Sequence, residues 1–363
     1  MGILRFILAI TVVIAHSSSV FGFSFVGGQI AVQAFYIISG FYMTLILNEK
    51  YVGINSSYKL FISNRFLRLY PIYWTVLFLK IASSLAISIS TNGINLGKFA
   101  IYTEYFHTMS FGSFIFLLFT NLFIFLQDMV MFLGLDISSG QLFFTSNFNE
   151  TSPQLNKFLF IPQAWTVAVE LSFYLIAPFL VRKKLKLIIS LILLSLLLRF
   201  VLFHYGLSND PWSYRFFPTE LVFFLLGIVS YQIYVLIRTL DIKKGYLNAI
   251  WFSILGFTLF YNFLPIPYKY PIYLFLFFIC LPFIFILTKK WKYDIYIGEL
   301  SYPIYISHIF VLGCMIAIKI PVVFGLGLSL IVMTVIFSIL LNEFVAKKIE
   351  KVRQKRIIPT ANI

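Results

Sequence analysis

Three ionisable side chains, His16, Glu170 and His308, interrupt long apolar stretches of this sequence. A charge in hydrocarbon costs about 3 kcal/mol or more unless it is paired or hydrated, so such residues are the first candidates for chemistry. Histidine with a carboxylate partner suits general-base work, because its ordinary pKa lies near neutrality and the carboxylate orients the ring and stabilises the imidazolium. A lone histidine in an apolar run is more often a hydrogen-bonded packing residue. Ionisable groups in three separate runs ask for a further reason. Two His and one Glu are also a conceivable ligand set, but nothing in their spacing resembles a metal motif, and no metal is expected.

Depth along the candidate helices groups these residues. At about 1.5 Å per residue, His16 stands roughly 16 Å from Arg5, which opens the first run, and Ser17, Ser18 and Ser19 follow with hydroxyls able to line a wet cavity. The same rise puts Glu170 about 10 Å and His308 about 12 Å into their own runs. Arg65 and Arg68 stand three apart in N-R-F-L-R-L-Y-P, expected just ahead of a helix, where both guanidinium groups would share a face and could clamp phosphates. Basic residues in that position are also ordinary topology signals. Arg199 lies deep enough to need a partner, whereas Arg215 and Glu220 are expected at the interface.

The elements that carry these residues follow from composition. Of 363 residues, 60% are hydrophobic and 11% charged, with a mean hydropathy of +0.94. A soluble domain of this size would expose aggregating apolar surface, so the expected solvent is lipid. The net charge of +15 sits in short clusters between apolar runs, which points to loops facing an anionic leaflet and away from nucleic acid. Cys280 and Cys314 fall inside apolar runs and read as packing residues. Met1 to Val20 reads as a first spanning helix, without the basic region or small-residue cleavage site of a signal peptide. Phe6 stands where a myristoylation motif needs Ser or Thr.

A crossing needs about 20 mostly apolar residues. Candidate runs are 3–21, 30–47, 70–90, 111–133, 163–181, 187–204, 217–237, 246–264, 271–288, 300–319 and 323–344. If every basic cluster is cytoplasmic, an even number of crossings must separate consecutive clusters. The interval between Arg68 and Arg182 breaks that rule unless 111–133 does not cross. The expected fold is therefore all-α, a polytopic transmembrane bundle of about ten spanning helices plus one re-entrant or outer-face segment, with 138–154 as an outer loop. Both termini fall on the cytoplasmic side. The bundle takes in 1–346, and 347–363 is a basic cytoplasmic tail.

The pattern resembles the integral-membrane acyltransferases known as acyltransferase family 3. Arg5 and His16 match a first-helix motif of a basic residue, ten intervening positions and a His. G-Q-I-A-V-Q-A-F-Y-I-I-S-G-F (Gly28 to Phe41) is similar to the second-helix signature, and Arg65, Arg68 and Pro71 to the arginine-rich loop. W-T-V-A-V-E-L-S-F-Y (Trp165 to Tyr174) and L-S-Y-P-I-Y-I-S-H (Leu300 to His308) complete the set in the right order. Gln33 departs from the pattern, because many members carry an acidic residue there, and no role is assigned to it. No esterase-like soluble domain is appended, so any further step is expected to need a separate partner.

The resemblance implies transfer of an acyl group, usually acetyl, from cytoplasmic acyl-coenzyme A to a hydroxyl of a cell-envelope glycan or glycolipid at the bacterial inner membrane. It implies His16 as general base or transient acyl carrier, with Glu170 or His308 orienting it or relaying the proton. Arg5, Arg65 and Arg68 would hold the donor, with Ser39, Trp165, Tyr302 and Arg199 as further candidates. Acyl-coenzyme A would be a co-substrate, with no permanently bound cofactor; membrane lipid would be the surroundings, and the oligomeric state stays open. A proton-coupled transporter or flippase would also use buried His and Glu, but no inverted repeat or paired broken helix supports it.

Overall fold

A computed structural model describes residues 1–320, 322 and 325–357. In chain order the helices are α1 (Gly2–Ala15), α2 (Gly28–Glu49), α3 (Tyr58–Ser90), α4 (Ala100–Tyr105), α5 (Phe111–Phe123), α6 (Trp165–Leu180) and α7 (Leu185–His204). They continue with α8 (Phe217–Ile237), α9 (Lys244–Phe260), α10 (Lys269–Thr288), α11 (Lys292–Glu299), α12 (Ser301–Ala317), α13 (Leu326–Leu341) and α14 (Lys347–Lys355). One small antiparallel hairpin, β1 (Leu133–Leu135) with β2 (Leu142–Phe144), follows α5. Among the described residues, eight helical segments are long and apolar enough to cross a membrane: α2, α3, α6 with its preceding turn, α7, α8, α10, α11–α12 and α13–α14. The chain is a polytopic, all-α membrane protein.

Three boundaries differ from expectation. The first helix stops at Ala15, so His16 forms its C-cap and 17–21 are not helical. The Arg65–Arg68 segment does not precede a helix but lies within α3, which starts at Tyr58 and carries Pro71 in its interior. The run 111–133 keeps only 13 helical residues, about 20 Å at the usual rise. Ile124 then adopts φ 61° and the chain turns into a 3-10 segment and β1. Two positions of the run 323–344, 323 and 324, and the end of the basic segment, 358–363, lie outside the described residues.

The chain divides into two compact units. The first comprises Met1–Arg68, Tyr174–Leu194 and the described residues from Leu221 onward. Here α1 packs on α2, α11, α12 and α13. Ala9, Ile10, Val13 and Ile14 on one face of α1 meet Leu300, Ile304, Val311 and Met315 along α12, with Leu330 of α13. The α1 start is held by Asp294, whose carboxylate accepts the backbone N–H groups of Gly2 at 2.7 Å and Ile3 at 2.9 Å. A carboxylate there satisfies orphan donors and faces the positive end of the helix dipole. Helices α2 and α8 touch backbone to backbone: a Cβ on Gly40 would come within 2.0 Å of the Phe224 carbonyl oxygen. In lipid, where apolar burial gives little drive between helices, such close approach of small residues supplies the packing.

The second unit comprises Leu69–Phe173 and Ser195–Glu220. In it the last carbonyls of α5 are satisfied by side chains of α3. Tyr70 and Tyr73 donate to Phe123 and Asn121, and the Trp74 indole donates to Leu122 at 2.8 Å. Asn121 also accepts the Phe160 N–H at 2.8 Å and donates to the Phe158 carbonyl at 3.1 Å. A short apolar helix can end at that point because its carbonyls find partners in the protein. Arg199 pairs with fully buried Glu220 at 2.7 Å, so Glu220 is the partner Arg199 required and not an interfacial residue.

The α2–α8 contact yields a test. Gly40→Val should lower thermal stability in detergent by about 3 kcal/mol or more. Gly256→Ala in α9, where an added Cβ meets nothing within 4 Å, should leave it unchanged or raise it by about 1 kcal/mol at most. Equal melting curves for the two variants would contradict the close approach.

Candidate active site

The packing of α1 on α12 brings two of the three deep ionisable residues together. His308 continues the α12 stripe of Ile304 and Val311 that faces α1, and it is fully buried. His16 follows the α1 stripe of Val13 and Ile14 at the helix end, and it is exposed. The ring nitrogens His16 Nδ1 and His308 Nε2 lie 3.3 Å apart, with ring centroids 4.9 Å apart.

The neighbouring carbonyls settle which nitrogen carries each proton. His308 Nδ1 lies 2.7 Å from the Tyr305 carbonyl oxygen, which can only accept, so Nδ1 carries a hydrogen. His16 Nδ1 lies 2.9 Å from the Val12 carbonyl oxygen, so it carries one too. Consequently His308 Nε2 accepts from His16 Nδ1–H, which is shared between that nitrogen and the Val12 carbonyl. The arrangement leaves the lone pair of His16 Nε2 uncommitted, on a residue that is exposed. A proton taken up at Nε2 would leave the positive ring donating to two acceptors already in place.

The segment after His16 is also anchored. Ser17 Oγ donates to the Val13 carbonyl at 2.9 Å, and Ser18 Oγ accepts the Gly327 N–H at 3.0 Å. A Cβ on Gly327 would fall 2.2 Å from the Ser18 carbonyl oxygen, so only glycine lets α13 start this close to the chain leaving His16.

Arg5, about 16 Å from His16 along the helix by the usual rise, lies over the ring of Tyr42 on α2, 5.8 Å from its centroid. Arg68 also lies within electrostatic range of Tyr42. Arg65 is buried, stacks over Phe61 at 5.8 Å, and its Nε has no hydrogen-bond partner. Ser39 is buried on α2 beside Gly40, and Tyr302 is half-buried in the first turn of α12. Gln33, fully buried on α2, accepts a 2.5 Å hydrogen bond from Tyr270 of α10. These residues all belong to the first unit.

Glu170, the third deep residue, is half-buried in the part of α6 that belongs to the second unit. Trp165, at the start of α6, stacks under Arg215 at 4.2 Å, and Arg215 forks onto Asp210 at 2.6 and 2.8 Å. Arg199 is engaged by Glu220 and by the Ser213 and Thr219 carbonyls. Among the described residues no group of three or more His, Cys, Asp or Glu side chains could hold a metal ion.

A family model described as an acyltransferase domain matches residues 1–343. No curated protein and no solved structure matches the chain significantly.

Reading for deep charges passed over Tyr42, whose type gives no signal in an aromatic-rich chain, and Asp128, hidden in the run 111–133. Asp128 is 5% exposed. Burial pushes its carboxyl up to about 6 against the pull of the N–H groups of Asp128 and Met129. A carboxyl raised in this way favours folding below the unfolded value and loses that contribution as pH rises towards 6. Asp128→Asn should therefore gain stability over the wild type between about pH 4 and 6, by about 3 kcal/mol for a two-unit shift. The difference should be flat above that range. Melting curves that stay parallel across the range would contradict the burial of this carboxyl.

Proposed function

The chain belongs to acyltransferase family 3 and is a multi-pass membrane acyltransferase, and we propose that it moves an acyl group, acetyl in the first instance, from cytoplasmic acyl-coenzyme A to a hydroxyl of a cell-envelope glycan or glycolipid. The observation that carries this reading is the His16–His308 pair, in which His16 Nε2 is left uncommitted.

His16 Nε2 takes the proton of the acceptor hydroxyl as that oxygen attacks the thioester carbonyl. The C–S bond then breaks, and the coenzyme A thiolate recovers the proton from Nε2–H. His308 holds the His16 ring in place and accepts from Nδ1–H throughout, the role of an orienting residue behind a base. Arg5, Arg65 and Arg68 hold the donor's phosphates at the other end of α1. The rise from Arg5 to His16, roughly 16 Å, is comparable to an extended pantetheine arm, so phosphates at one end place the thioester at the other. Glu170 serves the acceptor side or a proton path. Ten crossings with both ends in the cytoplasm of the bacterial inner membrane put the donor's phosphates on the side where coenzyme A is found.

Membranes given radiolabelled acetyl-coenzyme A and extracted glycan should transfer label. His16→Ala should abolish transfer. His308→Gln should lower kcat about 10²- to 10⁴-fold, the usual range for a group supporting proton transfer, with the donor KM little changed. No transfer by wild type, with His16→Ala still blocking movement of a solute, would replace the enzyme by a transporter. Label accumulating on His16 without acceptor would make it an acyl carrier. For orientation, Ser139→Cys should react with an impermeant thiol reagent added outside intact cells; labelling only after lysis would invert the topology.

A further inference from the structure

The basic segment after α13 is not a loose tail where the structure describes it. The chain passes from α13 through a π-turn at Asn342–Ala346 into α14, which lies on the start of α3. Arg353 is 6% exposed, and its Nε donates to the Asn64 carbonyl at 2.9 Å. Arg356 donates to Asn64 Oδ1 at 3.0 Å and to Ser63 Oγ at 2.8 Å, and Lys50 reaches Gln354 at 2.7 Å.

These contacts assemble an unbalanced charge. Lys50, Arg65, Arg68 and Arg353 all lie within electrostatic range of one another, and the carboxylate among them is that of Glu350. Glu350 binds Arg353 and Gln354. Two of the cations, Arg65 and Arg353, are more than nine-tenths buried. Gathering buried like charges is costly unless an anion joins them, and the partnerless Nε of Arg65 leaves a donor for one. Arg353 uses Nε and Nη1 on Asn64 and Glu350, which leaves part of its five-donor fork.

We propose that α14 completes the donor site: Arg353, with Arg65 and Arg68, holds the phosphates of coenzyme A. This rests on the acyl-coenzyme A reading above. Arg353 lies beyond the residues that the family model covers, so the motif arginines of α3 are extended by a part of the chain outside that match. The same fork would also fit the phosphate of an anionic lipid headgroup, and convergence of three chain segments on buried guanidinium groups favours the soluble polyanion.

The test uses the full chain in phosphatidylcholine nanodiscs, with coenzyme A binding followed by titration calorimetry and acetyl-coenzyme A turnover by initial rates. Arg353→Gln should weaken coenzyme A binding at least tenfold and raise KM with kcat within about twofold, and Arg353→Lys should lose less. Glu350→Gln removes the competing carboxylate and should tighten binding, a gain that structural damage would not produce. Wild-type coenzyme A affinity in Arg353→Gln, with loss only in Arg65→Gln, would overturn the role of α14 and leave the donor reading standing. A change only in the phosphatidylglycerol retained on purification would reassign the site to a lipid headgroup. No coenzyme A binding by the wild type would bring down the donor reading itself.

Discussion

A polar atom placed in hydrocarbon has to find its partner inside the protein, and the features described here follow from that constraint. The α1 start is covered by the Asp294 carboxylate, and its last carbonyls by the His16 ring and the Ser17 hydroxyl. The α5 end is covered by tyrosines and a tryptophan of α3. Arg199 and Glu220 neutralise each other within their own unit. The His16–His308 pair obeys the same rule, except that it leaves one nitrogen uncommitted.

That exception depends on where α1 stops. His16, Ser17, Ser18 and Ser19 compete for backbone groups through their side chains, the usual reason such residues end helices. Because the ring itself caps the Val12 carbonyl, its orientation is set by the backbone, and His308 is presented to it by the α12 face that packs on α1. Close backbone contacts, Gly327 on Ser18 and Gly40 on Phe224, fix the neighbouring segments without bulky side chains.

Within the first unit, the ionisable groups divide along α1. One end gathers Arg5, Tyr42 and Arg68; the other carries the histidine pair. A long substrate with a charged head and a reactive tail is the kind of molecule such a division suits.

Composition and run length were enough to read a polytopic helical bundle, because burying that much apolar surface in water is not possible. The motif order was enough for the family. What the sequence could not tell was which deep residue meets His16. Glu170 and His308 were equal candidates by depth, and it is the packing of α1 against α12 that joins His308 to His16, 292 positions away. Helix ends were also hidden: α3 begins well before its apolar run, since its first turns are amphipathic, and α1 stops early, since serines cap it. The charge of Arg353 was legible as part of a basic tail. Its burial against Asn64 was decided by the tertiary structure, because a guanidinium's partner is chosen by which helices meet and not by its neighbours in the chain.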